Sequence, residues 1–136
     1  MARLKEQRAW DNFKLALKER EINVRRVENQ IGEGMPDVIG INRQRWVFWL
    51  ENKALDSWPV RASTIPLRAA FEPGQVPFMR NWCDWGGNAF VLLRVDKEFY
   101  LLNPKLQLTA LTRDELIGTA VAIGKKNIID FLESAF

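Results

Sequence analysis

The stretch Gly34-Met35-Pro36-Asp37-Val38-Ile39-Gly40-Ile41, the polar Asn42-Arg43-Gln44-Arg45 and the run Trp46-Val47-Phe48-Trp49-Leu50-Glu51-Asn52-Lys53-Ala54 decide how this chain folds. Two apolar, β-prone runs around a short polar break predict a hairpin. Pairing the runs puts Asp37, near the start of one strand, beside Glu51 and Lys53, near the end of the other. Side chains alternate faces along a strand, so Glu51 and Lys53 point the same way and Asn52 points oppositely. Two carboxylates and an amine then converge at the end of an apolar hairpin, where charge is uncommon without a reason.

On the N-terminal side, residues 4 to about 21 read as a helix, with Leu4, Trp10, Phe13 and Leu17 recurring on one stripe. Glu6 lies one turn before Trp10, on the edge of that stripe. Residues 22–29 suggest a first strand, and Gly32-Glu33-Gly34 a break before Pro36-Asp37. Beyond Lys53, residues 56–73 form an irregular segment holding Pro59, Pro66 and Pro73. Such a segment inside a compact domain is usually functional or partly disordered. A helix is expected from Gly74, carrying Gln75, Phe78, Met79 and Trp82 and stopped by Gly86-Gly87. Ala89–Val95 reads as a buried strand, Asp96-Lys97-Glu98 as a turn and Phe99–Leu102 as its partner strand. Thr112 to Glu115 carries a capping-box pattern, and a last helix runs from about Lys125 to Leu132. The predicted order is α-β-β-β-α-β-β-α: one α/β domain over residues 1–136, with a mixed sheet of about five strands flanked by helices.

Composition removes many chemistries. No histidine occurs, which excludes His-based triads, His-metal sites and histidine general bases. One cysteine, Cys83, excludes an internal disulfide and a multi-cysteine zinc cluster, and reads as a packing residue. No apolar run approaches the ~20 residues of a membrane span, and no secretory signal is evident. The net charge of +3 is mild, but its distribution is uneven. Residues 1–26 carry eight Lys or Arg against four acids, and the rest twelve against thirteen. A solvated helix face and a phosphate-facing surface both fit that excess.

Two converging carboxylates repel unless a cation holds them, and Mg²⁺ prefers oxygen ligands. The Asn52 backbone carbonyl is placed to add another oxygen. A bound metal lowers the pKa of its water, and a neighbouring lysine orients that water or stabilises developing negative charge. A phosphodiester suits this set. The structural alternative has Asp37 capping a turn and Glu51 pairing with Lys53 on the surface.

Gly34-x-Pro36-Asp37, the apolar hairpin, Glu51-x-Lys53 and Gln75 opening the next helix resemble the PD-(D/E)xK nuclease superfamily. Within it, the layout is similar to the VRR-NUC and Holliday-junction-resolvase branch over about residues 4–95. Gly86-Gly87-Asn88-Ala89-Phe90-Val91-Leu92 also resembles that branch. The resemblance implies a restriction-endonuclease-like core in which Asp37 and Glu51 bind metal. Lys53 would position or activate water, Gln75 would support the catalytic site, and Glu6 would be an outer or second-metal ligand. The segment from Lys53 to Gln75 is longer than a minimal resolvase-like link, Asn52 is polar where an apolar residue is usual, and the C-terminal third has no assignable counterpart.

The expected function is a Mg²⁺-dependent DNA endonuclease, with Mn²⁺ substituting. It would be structure-selective for Holliday junctions or other branched DNA, because the chain has no room for a separate DNA-reading domain. A homodimer suits a substrate with two symmetric strands to cut. Small stand-alone nucleases of this kind resemble phage or mobile-element proteins, with a role in DNA recombination, implying a bacterial or phage-infected cytoplasm and no membrane partner. Alternatives are a restriction-type or nicking endonuclease reading sequence through residues 56–73, and a non-catalytic nucleic-acid-binding domain on a nuclease fold. Arg25, Arg26, Arg43, Arg45, Arg61 and Arg68 are the expected DNA contacts. Trp58 either stacks on a base or packs under its loop. The other tryptophans, Trp10, Trp46, Trp49, Trp82 and Trp85, read as core or interface.

Overall fold

Period-two alternation along Val47–Leu55 organises the molecule. Phe48 and Leu50 enter one apolar cluster and Trp49 the other, so this strand separates two cores. The computed structural model describes residues 2–27 and 34–136, with side chains from residue 7 onward. In chain order the elements are α1 (Ala2–Glu19), β1 (Asn23–Arg26), β2 (Val38–Ile41), β3 (Val47–Leu55), α2 (Gln75–Asp84), β4 (Ala89–Val95), β5 (Glu98–Leu102), α3 (Arg113–Thr119), β6 (Ala122–Ile123) and α4 (Lys125–Ser134). Among the described residues six strands lie side by side in sequence order, and every neighbouring pair is antiparallel except β3 and β4.

A parallel neighbour needs a crossover, and residues 56–74 with α2 supply it. The first cluster packs α1 (Trp10, Phe13, Leu17) and α4 (Ile128, Ile129, Leu132) against Val38, Phe48, Leu50, Leu92 and Leu101. The second packs α2 (Met79) and α3 (Leu116) against Trp49, Val91, Leu93 and Leu102. Leu67, fully buried in that second cluster, pins the irregular segment to the sheet.

The expected α/β architecture is observed, with one strand more than expected. Ala122–Ile123 is a two-residue strand paired with Tyr100 and Leu101, too short for alternation to reveal. The first strand is also shorter than the expected 22–29; residues 28–33 lie outside the described residues. The capping box forms as expected: Thr112 Oγ1 accepts from the Glu115 N–H, and the Glu115 carboxylate accepts from the Thr112 N–H.

Asn42, in the hairpin's polar tip, is only 5 % exposed. Its Oδ1 accepts from the N–H groups of Gln44 (2.8 Å) and Trp46 (3.1 Å). Its Nδ2 donates to the carbonyls of Leu132 (2.8 Å) and Ala135 (2.7 Å) at the end of α4. One amide therefore shapes the turn and satisfies carbonyls that the helix leaves free. The turn closes with Arg45 in the left-handed region at φ 65.

Candidate active site

The β2–β3 register pairs Val38 with Leu50, so the next residues outward, Asp37 and Glu51, meet where β2 ends. Trp49 N–H donates to Asn88 O on the β4 side, so the backbone groups of Leu50 and Asn52 face β2. Continuing the register places Asn52 opposite Pro36, which has no N–H to donate. That lack leaves the Asn52 carbonyl without a ladder donor, while the Asn52 N–H donates to Asp37 Oδ2 at 3.0 Å. Pro36 thereby frees the edge of β3, and the Asp37 carboxylate takes the place that a strand would fill.

Glu51 is 2 % exposed. Its Oε2 accepts from Gln75 Nε2 (3.1 Å) and lies 3.3 Å from Lys53 Nζ. Its Oε1 is buried and has no hydrogen-bond donor. Burial, and next the charge of Asp37, push the Glu51 carboxyl up to about 8 against the opposing pull of Lys53.

Gln75 is fixed from three sides. Its Oε1 accepts from the Glu72 backbone N–H (2.9 Å) and from Lys53 Nζ (3.0 Å), both of which can only donate. That leaves its Nε2 to face Glu51. Phe71 covers Lys53, with its ring centroid 5.2 Å from Nζ.

Gly34 holds this end of α2 in place. A Cβ there would collide with the Gly74 carbonyl oxygen, and Gly34 itself has φ +90. The close approach seats Gly74, and with it Gln75, against the segment leading to Asp37. The Gly34-x-Pro36-Asp37 spacing marks this position; the contact with Gly74 is tertiary and has no sequence signal. Asn42 and Phe71 likewise escape a sequence reading, because short polar tips and isolated aromatics are common.

The structure thus brings together Asp37, Glu51, Lys53, Gln75 and the Asn52 backbone. The Glu6 side chain lies outside the described residues. Among the described residues no group of three or more His, Cys, Asp or Glu is arranged to hold a metal; those at this site contribute two carboxylates and the Asn52 backbone. Arg26, of the expected DNA set, pairs with Val38 across the sheet, and its Nη1 donates to Gln7 Oε1 at 3.3 Å. Arg25 is exposed on the same edge strand. Arg43 and Arg45 sit at the opposite end of the hairpin, about 20 Å from Glu51 at ~3.3 Å per residue. Arg61 and Arg68 are exposed on the irregular segment. Trp58 packs edge-on against Tyr100 (5.4 Å) under the Arg113 guanidinium (5.5 Å), half-buried against β5 and α3. Trp10, Trp46 and Trp49 pack in the cores, whereas Trp82 and Trp85 are 40 % and 85 % exposed at the far end of α2. Cys83 is half-buried against Ala89 O, consistent with packing.

Among solved structures, the chain is similar to a VRR_NUC domain with a TM-score of 0.50 at 20% identity, covering 68% of this chain and 86% of that one. It is similar to Archaeoglobus fulgidus Hjc, a Holliday junction resolvase from an archaeal hyperthermophile, with a TM-score of 0.62 at 13% identity, covering 93% of this chain and 98% of that one. No family model and no curated protein sequence matches the chain. The 93% coverage takes in most of the C-terminal third, for which the sequence alone offers no counterpart. The fold expected from the PD-(D/E)xK resemblance is therefore the fold observed, that of a VRR_NUC domain and of a Holliday junction resolvase.

Proposed function

We propose that this chain is a divalent-metal-dependent endonuclease that hydrolyses DNA phosphodiesters at the site of Asp37, Glu51, Lys53 and Gln75. The observation that carries the proposal is the Glu51 carboxyl, buried beside Asp37 with one oxygen lacking any donor. A buried, unpartnered carboxylate oxygen next to a second acid is a costly arrangement unless a proton or a metal cation completes it.

The donor set fits Mg²⁺, with Mn²⁺ as a substitute: Asp37, Glu51 and the Asn52 carbonyl are all hard oxygens. Two carboxylates leave coordination positions for water and phosphate. When bound, such an ion lowers the pKa of water and offsets charge on the phosphate. The remaining work belongs to the chain. Lys53, held by Gln75 and shielded by Phe71, presents an ammonium where negative charge develops. Gln75 keeps Lys53 and Glu51 in register. Gly34 and Gly74 keep Gln75 there.

Branched DNA is the preferred substrate in this reading, supported by the likeness to a Holliday junction resolvase. A homodimer places two such sites on two strands, and exposed Trp82 and Trp85 offer apolar surface for one. No helix among the described residues is long and apolar enough to cross a membrane.

The test is cleavage of a four-way junction, a flap, a duplex and single-stranded DNA with Mg²⁺, comparing wild type with Asp37→Ala and Lys53→Ala. Both variants are expected to lose cutting, with the junction or flap cut best by wild type. Variants that cut as well as wild type would place the chemistry elsewhere.

A further inference from the structure

A groove of about 1080 Å³ opens between α1, the β1 edge and the tip of the β2–β3 hairpin. Lys14, Lys18, Arg25, Arg43 and Arg45 line it against two acids, Asp11 and Glu21. Those five cations and two acids match the net +3 of the whole chain. Glu21 is already paired with Arg43 at 3.6 Å, and Asp11 accepts from Gln7 Nε2 at 3.2 Å. Lys14, Lys18, Arg25 and Arg45 have no ion-pair partner among the described residues.

We propose that this groove binds the sugar-phosphate backbone of duplex DNA, as a site separate from the carboxylate centre. The inference rests on the nuclease reading for its substrate, but its ligand is chosen by the groove. Lys14 and Lys18 stand four residues apart on one helix, so they repel each other unless an anion lies between them. A second copy of the chain is a poorer occupant. A two-fold interface sets the same patch against itself, which here opposes cation to cation. Guarding the β1 edge against strand pairing accounts for Arg25, but not for lysines on α1 or an arginine at the hairpin tip.

Duplex is favoured over single strand by the apolar lining. It consists of aliphatic side chains such as Leu15, which is 60 % exposed, and Ile41, with no aromatic ring on which a base could stack. Along β3, Arg45 lies about 20 Å from Glu51, some six base-pair steps of ~3.4 Å, a separation within the length of one duplex arm.

The experiment measures binding of a short labelled duplex by fluorescence anisotropy, in the Asp37→Ala background so that nothing is cut. The salt dependence is followed from about 50 to 200 mM. Each lost phosphate contact lowers the slope of log K against log salt by about 0.9, so Lys14→Ala with Lys18→Ala is expected to lower it by about 2. Arg45→Ala is expected to lower it by about 1. Lys105→Ala and Lys126→Ala, whose lysines pair with Asp84 and Asp130, serve as controls of equal charge and are expected to leave the slope intact. Unchanged melting temperatures show that the variants are folded. A wild-type slope in the lysine double variant overturns the proposal, as does an equal loss in the controls. So does a wild-type dimer that Lys18→Glu converts to monomer in sedimentation. In protein that cuts with Mg²⁺, an unchanged slope removes the groove alone. Duplex binding through the groove by protein that never cuts removes the nuclease reading alone.

Discussion

Replacing Glu51 with glutamine changes how stability depends on pH, in a direction that the buried carboxyl fixes. The Glu51 carboxyl is raised from an ordinary 4.5 to about 8 in the folded, metal-free chain. A group raised on folding contributes its stability in full below the unfolded value and loses it as pH rises through the folded one. The loss therefore runs from about pH 4.5 to about pH 8. At ~1.4 kcal/mol per pH unit it totals on the order of 5 kcal/mol, of which about 3 kcal/mol is gone by pH 7. For a domain of this size that is roughly 10 °C in Tm. The replacement amide does not titrate, so this slope disappears in Glu51→Gln. Its lost contact with Lys53 adds a cost that varies little over the same pH range. Thermal or urea unfolding in EDTA, from pH 5 to pH 9, reads the two slopes directly. A wild type whose stability is flat from pH 5 to 8, or a variant with the wild-type slope, would refute the reasoning.

Mg²⁺ should reverse that loss in wild type. Because a proton and the cation compete for one carboxylate, the Mg²⁺ concentration that raises Tm is expected to fall about tenfold per pH unit up to about pH 8. A Tm titration at several pH values checks this. In Asp37→Ala the second-largest cause raising the Glu51 carboxyl is removed, so the pH at which metal-free stability is lost should move downward, in the same unfolding series. Asn42→Ala deletes four hydrogen bonds at a buried turn and should cost about 2–4 kcal/mol in urea unfolding, with cleavage kept at temperatures where it is folded. Gly34→Ala forces a Cβ against Gly74 O at positive φ; it should cost about 1–3 kcal/mol and lower the cleavage rate by displacing Gln75.

The centre of the molecule is legible because a strand has period two. Once the hairpin around Asn42–Arg45 is recognised, alternation alone puts Glu51 and Lys53 on one face, and antiparallel pairing brings Asp37 to them. The capping box at Thr112 is legible for the same local reason. What escapes depends on tertiary contact. Asn42 looks like solvent-facing turn polarity until α4 ends above it. Leu67 is one leucine in a Pro-rich stretch until the sheet buries it. Trp58 is undecided until Tyr100 and Arg113 enclose it. β6 holds two residues, and its pairing with β5 is the only sign of it. Gly34 shows in the motif, but the Gly74 carbonyl it must admit lies across the crossover.

The most direct test of the account is single-turnover cutting of a labelled four-way junction by wild type and Lys53→Met, each with Mg²⁺ and with EDTA. The methionine keeps the aliphatic stem and removes only the ammonium. Wild type is expected to cut with Mg²⁺ and not with EDTA, and Lys53→Met to cut about 100-fold more slowly or worse while Mg²⁺ still raises its Tm. Cutting in EDTA, or a Lys53→Met rate equal to wild type, would contradict the claim that this cluster is a metal-dependent phosphodiesterase site.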